Sequence, residues 1–322
     1  MTEPPSLSTY APGPAVSGSV FHYTSAAGLL GMVSSGAIRA SEASSLNDLA
    51  EVRQGWEAIR RVLAEMPENE TRDLLLSHAE RPLAGRHEVF VLSASTAGDD
   101  ANQWRLYADG GRGYVLELDG GVRLAAISDV PAPERPPAEP GRAKFDLSFI
   151  GEVALVTPWL HVIYEDADVR DALVELTTLI DAERSWLTTI PDEDDYDAER
   201  DRVRDESYGA LATLANLIKS PGFSGENEVR VVATFVFNGD QIDYRAGSNG
   251  IVGYATLTAA PAEYTTRLLR PKDDAPILKR LPLKSVGSGP LLAEENGNTL
   301  RGFLARHIED DVEITHSAVP LR

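Results

Sequence analysis

The run Val229-Arg230-Val231-Val232-Ala233-Thr234-Phe235-Val236-Phe237 limits the folds open to this chain more than any other segment. Its β-branched and aromatic residues fit a pleated, packed surface, so it reads as a strand. Immediately before it stands Phe223-Ser224-Gly225-Glu226-Asn227-Glu228. Successive side chains of a strand point to opposite faces, which predicts Glu226 and Glu228 on one face and Asn227 and Val229 on the other. Two like charges side by side are unfavourable unless water, a cation such as Arg230 or a ligand relieves them. Spacing alone fits two readings, a solvated strand entrance and a site of chemistry.

Further strands are predicted at Phe21 to Thr24, Ala37 to Ala40, Val89 to Leu92 running into Ser93-Ala94-Ser95, and Tyr114 to Leu118. Others follow at Phe149 to Val156, Leu160 to Tyr164, Ile242 to Arg245, Ile251 to Thr256, Leu281 to Val286 and Val312 to Thr315. Helical spacing of apolar residues marks Ala26 to Ser35, with Ser25 as N-cap and Gly36 as C-cap, then Leu49 to Glu65, led in by the turn-forming Leu46-Asn47-Asp48, and Glu70 to Glu80. A capped helical turn falls at Asp99 to Tyr107, and longer helices at Ala167 to Leu187, Asp197 to Lys219 and Thr299 to Ile308. Residues 1 to about 18, rich in Pro, Ser and Gly, read as a disordered leader, and residues 129 to 142 as a Pro-rich surface excursion. The sum is one α+β domain, residues 19–322, with a mixed or antiparallel sheet and a helical insertion at about 166–220.

Charge and composition exclude several classes of function. A formal net charge of −20 opposes non-specific binding to a phosphate backbone, because such binding needs cations that displace counterions. The chain has no cysteine, which leaves oxygen, imidazole and backbone groups for any chemistry. No apolar run approaches the roughly 18 residues of a membrane span, and no signal segment opens the chain, so the reading is cytoplasmic with no membrane partner. The six histidines show no metal-ligand spacing, and no metal is predicted. Gly110-Gly111-Arg112-Gly113 precedes a strand and lacks the Lys-Ser/Thr pair of a phosphate loop.

The remaining constellations each have two readings. His22 and Thr24 share a strand face and offer an imidazole and a hydroxyl to a ribose diol or an amide; a strand histidine also serves as a structural residue. Ser93 and Ser95 repeat that spacing and either orient a carboxylate or close a turn. Trp104 and Tyr107, with Arg105 between them, form either a stacking wall for a planar ring or part of the core.

Taken in order, His22-Tyr23-Thr24-Ser25, Ile38-Arg39-Ala40-Ser41, Leu46-Asn47-Asp48, Val91 to Ser95, Gln103-Trp104-Arg105-Leu106-Tyr107, Phe223 to Arg230 and the terminal Ser317 to Arg322 resemble a bacterial family, the domain-of-unknown-function family 2971. Its layout looks like the ADP-ribosyltransferase superfamily, with His22 on a first strand, Ser93 and Ser95 on a second, and Glu228 preceded by Glu226 on a later one. That resemblance implies an ADP-ribosyltransferase-like fold and NAD as substrate. It implies Glu228 and Glu226 as the catalytic pair, and a cleft in which His22, Tyr23, Thr24, Arg39, Ser93, Ser95, Trp104, Arg105 and Tyr107 hold the dinucleotide. The reaction implied is transfer of ADP-ribose to a macromolecular acceptor or to water, as a transferase or an NAD glycohydrolase. The alternative is a non-catalytic nucleotide sensor of a bacterial defence or stress system.

Overall fold

The computed structural model describes residue 7 and residues 10–45, 49–80, 87–128, 154–236, 242–247, 250–260, 278–308 and 312–321. The expected turn Leu46-Asn47-Asp48, the Pro-rich 129–142 and the start of the strand expected from Phe149 lie outside the described residues. In chain order come β1 (Ser19–Thr24), α1 (Ala26–Ser35), β2 (Ile38–Glu42), α2 (Leu49–Glu65), α3 (Glu70–Glu80), β3 (His87–Ser95) and α4 (Ala101–Tyr107). They are followed by β4 (Tyr114–Asp119), β5 (Leu124–Ile127), β6 (Ala154–Val156), β7 (Leu160–His161), α5 (Asp166–Leu187) and α6 (Glu193–Ala215). A short 3-10 turn at Pro221–Glu226 leads to β8 (Glu228–Val236), β9 (Asp243–Gly247), β10 (Gly250–Ala259), β11 (Leu283–Ser288), α7 (Asn296–His307) and β12 (Glu313–His316). Among the described residues, no helix is long and apolar enough to cross a membrane.

The strands form a mixed, mostly antiparallel sheet in the order β12-β11-β4-β1-β3-β2-β10-β5, so the α+β class read from the sequence holds. Among the named strands of the described residues, β11 and β12 alone pair in parallel. β3 is the hub: one edge runs the full length of β8, from His87 opposite Val236 to Ser95 opposite Glu228. Its other edge is divided, since β2 takes Phe90 and Val91 while β1 takes Ser95. Between those two contacts β1 and β2 diverge, and Ser93 lies in the gap.

Both faces of β8 are covered. Val229, Val231, Ala233 and Phe235 join a core closed by α1 and α7. Val232 meets Leu160 and Leu217 on the opposite side, beneath a layer built from α2, α3, α5 and α6. Phe90 and Phe235 meet edge-on with centroids 5.3 Å apart, and this pair helps fix the β3–β8 register. A slip of one residue would send Glu228 and Arg230 into the apolar core, so the register carries the site.

Local signals account for most of the elements. Ser25 accepts from the Gly28 amide, and Gly36 at φ 64 closes α1 as expected of a C-cap glycine. The segment Asp192 to Asp195, loop-like in composition, is instead the start of α6: Asp192 caps it by accepting from the amides of Asp194 and Asp195. Acidic side chains there complement the positive end of the helix dipole, which favours helix over loop. α6 also stops at Ala215 and not at Lys219; the chain turns at Asn216 and Leu217 and then bridges to residue 163, with the Ile163 amide donating to Leu217 O at 2.7 Å. In the expected leader, Leu7, Tyr10 and Val16 are buried, Tyr10 donating its hydroxyl to Ala172 O at 2.9 Å. Burial of these side chains sets residue 7 and residues 10–16 against the fold, within a stretch that composition alone assigns to disorder.

Candidate functional site

β8 begins with Glu228 and Arg230 on one face, two residues apart, pointing toward the end of α6. Nothing in water-free surroundings tolerates a lone carboxylate, and Glu228, 8% exposed, is held on both oxygens. Arg230 donates from Nε to Oε1 at 2.7 Å and from Nη2 to Oε2 at 3.1 Å, and its Nη1 donates to Asn216 O at 2.7 Å. Lys219 Nζ donates to Glu228 Oε2 at 3.0 Å and to Glu226 Oε2 at 2.8 Å.

Glu226 is not on the strand. It ends the 3-10 turn, and Asn227 sits in the left-handed region at φ 48, which asparagine tolerates better than most residues. The two carboxylates therefore meet at Lys219 through a turn rather than through strand alternation. Thr96 N and Ser95 Oγ hold that turn by donating to Asn227 O at 2.9 Å and Glu226 O at 2.8 Å, and Gln103 Nε2 donates to Glu226 O at 3.1 Å.

These groups border a cleft of about 300 Å³, at the small end of the ligand-pocket range. The gap between β1 and β2 forms one wall, where Ser93 and Ala94 lie beside His22, Arg39 and Ser41. His22 Nδ1 lies 2.9 Å from Ser93 O. A carbonyl only accepts, so Nδ1 carries the hydrogen and Nε2 of the neutral ring keeps its lone pair. Tyr107 closes another side and donates its hydroxyl to Glu226 Oε1 at 3.4 Å. Arg39, exposed at the rim, rests its guanidinium 4.4 Å above the Tyr254 ring.

Charge in the cleft follows from these contacts. Burial alone would raise the Glu228 carboxyl, but Arg230, with help from Lys219 and the Ser93 hydroxyl, outweighs it and holds the group below the usual carboxylate range. Burial pushes His22 below the ordinary imidazole value, only partly offset by the Ser93 carbonyl, so its ring is neutral near pH 7. Burial and the nearby Glu226 push the Tyr107 phenol up to about 12. The cleft thus presents a fixed anion, an imidazole acceptor, a phenol donor and a peripheral guanidinium.

Seven of the residues predicted from sequence border this cleft: Glu228, Glu226, His22, Tyr23, Arg39, Ser93 and Tyr107. Four do not. Thr24 sets its hydroxyl over Gly28 at the start of α1. Ser95 is 1% exposed and serves the Glu226 turn. Trp104, also 1% exposed, packs edge-on against Tyr23 and donates from Nε1 to Asp99 at 2.7 Å, which makes it core. Arg105 lies on the exposed side of α4. Tyr23 itself turns its hydroxyl away, donating to Ala97 O at 2.8 Å.

Sequence reasoning misses Lys219, because a helix over Asp197 to Lys219 makes it the last helical residue. A signal was present: a lone ammonium directly after the apolar stretch Leu211 to Ile218 asks for a buried anionic partner.

Residues 103–231 match the model of a protein family of unknown function, DUF2971. The matched stretch runs from α4 into β8 and includes Tyr107, Lys219, Glu226, Glu228 and Arg230. No curated protein and no solved structure matches the chain.

Proposed function

We propose that this cleft binds NAD and breaks its nicotinamide–ribose bond, passing ADP-ribose to an acceptor group or to water. The observation that supports this reading is convergence: His22, Ser93 and Glu228, from three separate strands, border one cleft together with Tyr107. The ADP-ribosyltransferase-like layout demands that meeting, and residues so far apart in sequence had no reason of composition to make it. As the C–N bond breaks, both electrons leave on the nicotinamide nitrogen and positive charge builds on the ribose. An ionised Glu228 beside that sugar stabilises the oxocarbenium-like transition state. The acceptor oxygen or nitrogen then bonds to the anomeric carbon, and its proton passes to Glu226 or to water. His22 Nε2 accepts from a ribose hydroxyl, Tyr107 stacks on the nicotinamide ring, and Arg39 meets the pyrophosphate.

Incubation with NAD and measurement of released nicotinamide tests the proposal. Release is expected to saturate with NAD and to fall at least about 100-fold in Glu228→Gln. Equal release by wild type and variant, or neither release nor any NAD-induced rise in melting temperature, refutes it.

One observation favours a second reading. Both oxygens of Glu228 are already engaged by Arg230 and Lys219, which offsets much of the field available to a developing cation. Under that reading the cleft is a nucleotide sensor without turnover, and NAD or ADP-ribose raises the melting temperature while no nicotinamide appears.

A further inference from the structure

Lys219 is 4% exposed, and its ammonium lies between two carboxylates that belong to different local structures, one at the end of a 3-10 turn and one at the start of a strand. Carboxylates brought together in a confined space repel, and without a shared cation one of them would take up a proton or swing away. The ammonium also lies 4.6 Å from the centroid of the Phe223 ring, a second interaction that suits a cation. Its backbone is tied down as well: Lys219 N donates to Ile163 O at 2.9 Å, one residue beyond the Ile163–Ile218 bridge. Three residues earlier, Asn216 O takes the third arm of Arg230. The four residues after α6 therefore supply an ammonium to both carboxylates and a carbonyl to their guanidinium partner.

We infer that Lys219 is a positioning residue of this cleft, fixing the spacing and charge of Glu226 and Glu228, and that the α5–α6 layer which delivers it is a working part of the site. The role attaches to the catalytic reading above, since a reaction that needs an ionised Glu228 and an adjacent Glu226 needs the ion that keeps the two together. It also accounts for the exit from the helix after Ala215 and the Ile163–Ile218 bridge, which together set Lys219 beside the carboxylates ahead of the 3-10 turn.

The test compares wild type with Lys219→Met and Lys219→Arg by two readouts. The first is the titration of the Glu228 carboxyl, followed by carbon-detected NMR and assigned with Glu228→Gln. The second is the pH profile of nicotinamide release, resolved into kcat and KM. In Lys219→Met the Glu228 midpoint is expected to rise by about one unit or more. The acidic limb of the rate profile is expected to move with it, and kcat to fall at least about tenfold while KM changes less than about threefold. Lys219→Arg keeps the positive charge and is expected to hold the Glu228 midpoint near that of wild type.

A folded Lys219→Met protein whose Glu228 titration matches wild type overturns the inference. If Lys219→Met does not fold, Lys219→Gln, which removes the charge and keeps a polar group, is titrated in its place: a raised Glu228 midpoint supports the inference and an unchanged midpoint overturns it. If wild type releases no nicotinamide, the catalytic reading fails, and the titration still decides whether Lys219 sets the state of Glu228.

Discussion

Replacing Arg230 by Met keeps an unbranched apolar stem and deletes the guanidinium, leaving Glu228 with Lys219 and the Ser93 hydroxyl. The Arg230 and Glu228 side chains are 5% and 9% exposed, so solvent screens their interaction little. Removing one partner from such a pair costs about 3–5 kcal/mol. The Asn216 carbonyl also loses its donor, at about 1–3 kcal/mol if no water replaces it; the two penalties share one desolvated volume, so the larger is the expectation. In wild type Glu228 lies below its ordinary value. It therefore contributes stability above the unfolded carboxyl value of about 4.3, and that stability is lost as pH falls through the lower folded value. Without Arg230, burial weighs more heavily and the contribution shrinks or reverses; where it reverses, the cost begins above about pH 4.3 and is complete only above the raised folded value. The gap between wild type and Arg230→Met should be larger near pH 7.5 than near pH 4, and contract to a packing remainder only below the folded wild-type value of Glu228. Thermal melts followed by circular dichroism across that range measure it, with an expected drop on the order of 5–10 °C at pH 7.5. Adding Glu228→Gln should recover at least about half of the loss, because it removes the stranded charge. A loss under about 1 kcal/mol at pH 7.5, or one that does not vary with pH, would refute the electrostatic account of this pair.

Gly55→Ala should destabilise the protein by about 1–3 kcal/mol in urea unfolding, since a Cβ there would lie 2.0 Å from Ala215 O where α2 crosses the end of α6. Gly31→Ala in α1 meets nothing within 4 Å and should instead stabilise by about 0.5–1 kcal/mol; equal effects at the two positions would refute the packing argument. Asp99→Ala takes the acceptor from Trp104 Nε1 and from the Ala318 amide, and should cost about 2–3 kcal/mol and raise hydrogen exchange at residues 317–321. Unchanged exchange there would mean that Asp99 does not hold the C-terminal segment.

Much of the sheet was legible because its strands are apolar and β-branched. The run from Val229 was found for that reason, as were Val89 to Leu92 and Tyr114 to Leu118, and α2 and α3 were bounded by their apolar spacing. β5 went unread, being four residues, Leu124–Ile127, without flanking contrast. The ends of α6 were misjudged at both sides for a physical reason. Asp192 acts as a cap that resembles loop composition, while the apolar pattern continues past Ala215 although the backbone leaves the helix. That second error hid Lys219. The left-handed Asn227 was equally invisible, so the two carboxylates were assigned to strand alternation when a turn brings them together. Within α4, helical spacing alone did not separate Trp104, which is core, from Tyr107, which reaches the cleft.

The divided edge of β3 has a consequence for mutagenesis. The wall at Ser93 and Ala94 exists because β1 and β2 part company there, and the carbonyl that meets His22 belongs to the main chain. A point substitution alters what hangs from that wall and leaves the opening itself in place, because chain path and not side-chain identity creates it. A saturation scan would therefore read the support that the Ser93 hydroxyl gives Glu228 and the packing of Ala94 in the core, and not the opening itself. Only an insertion or deletion that reseats β1 or β2 along β3 would shut the opening, and such a length change is the perturbation to which this face of the cleft is vulnerable.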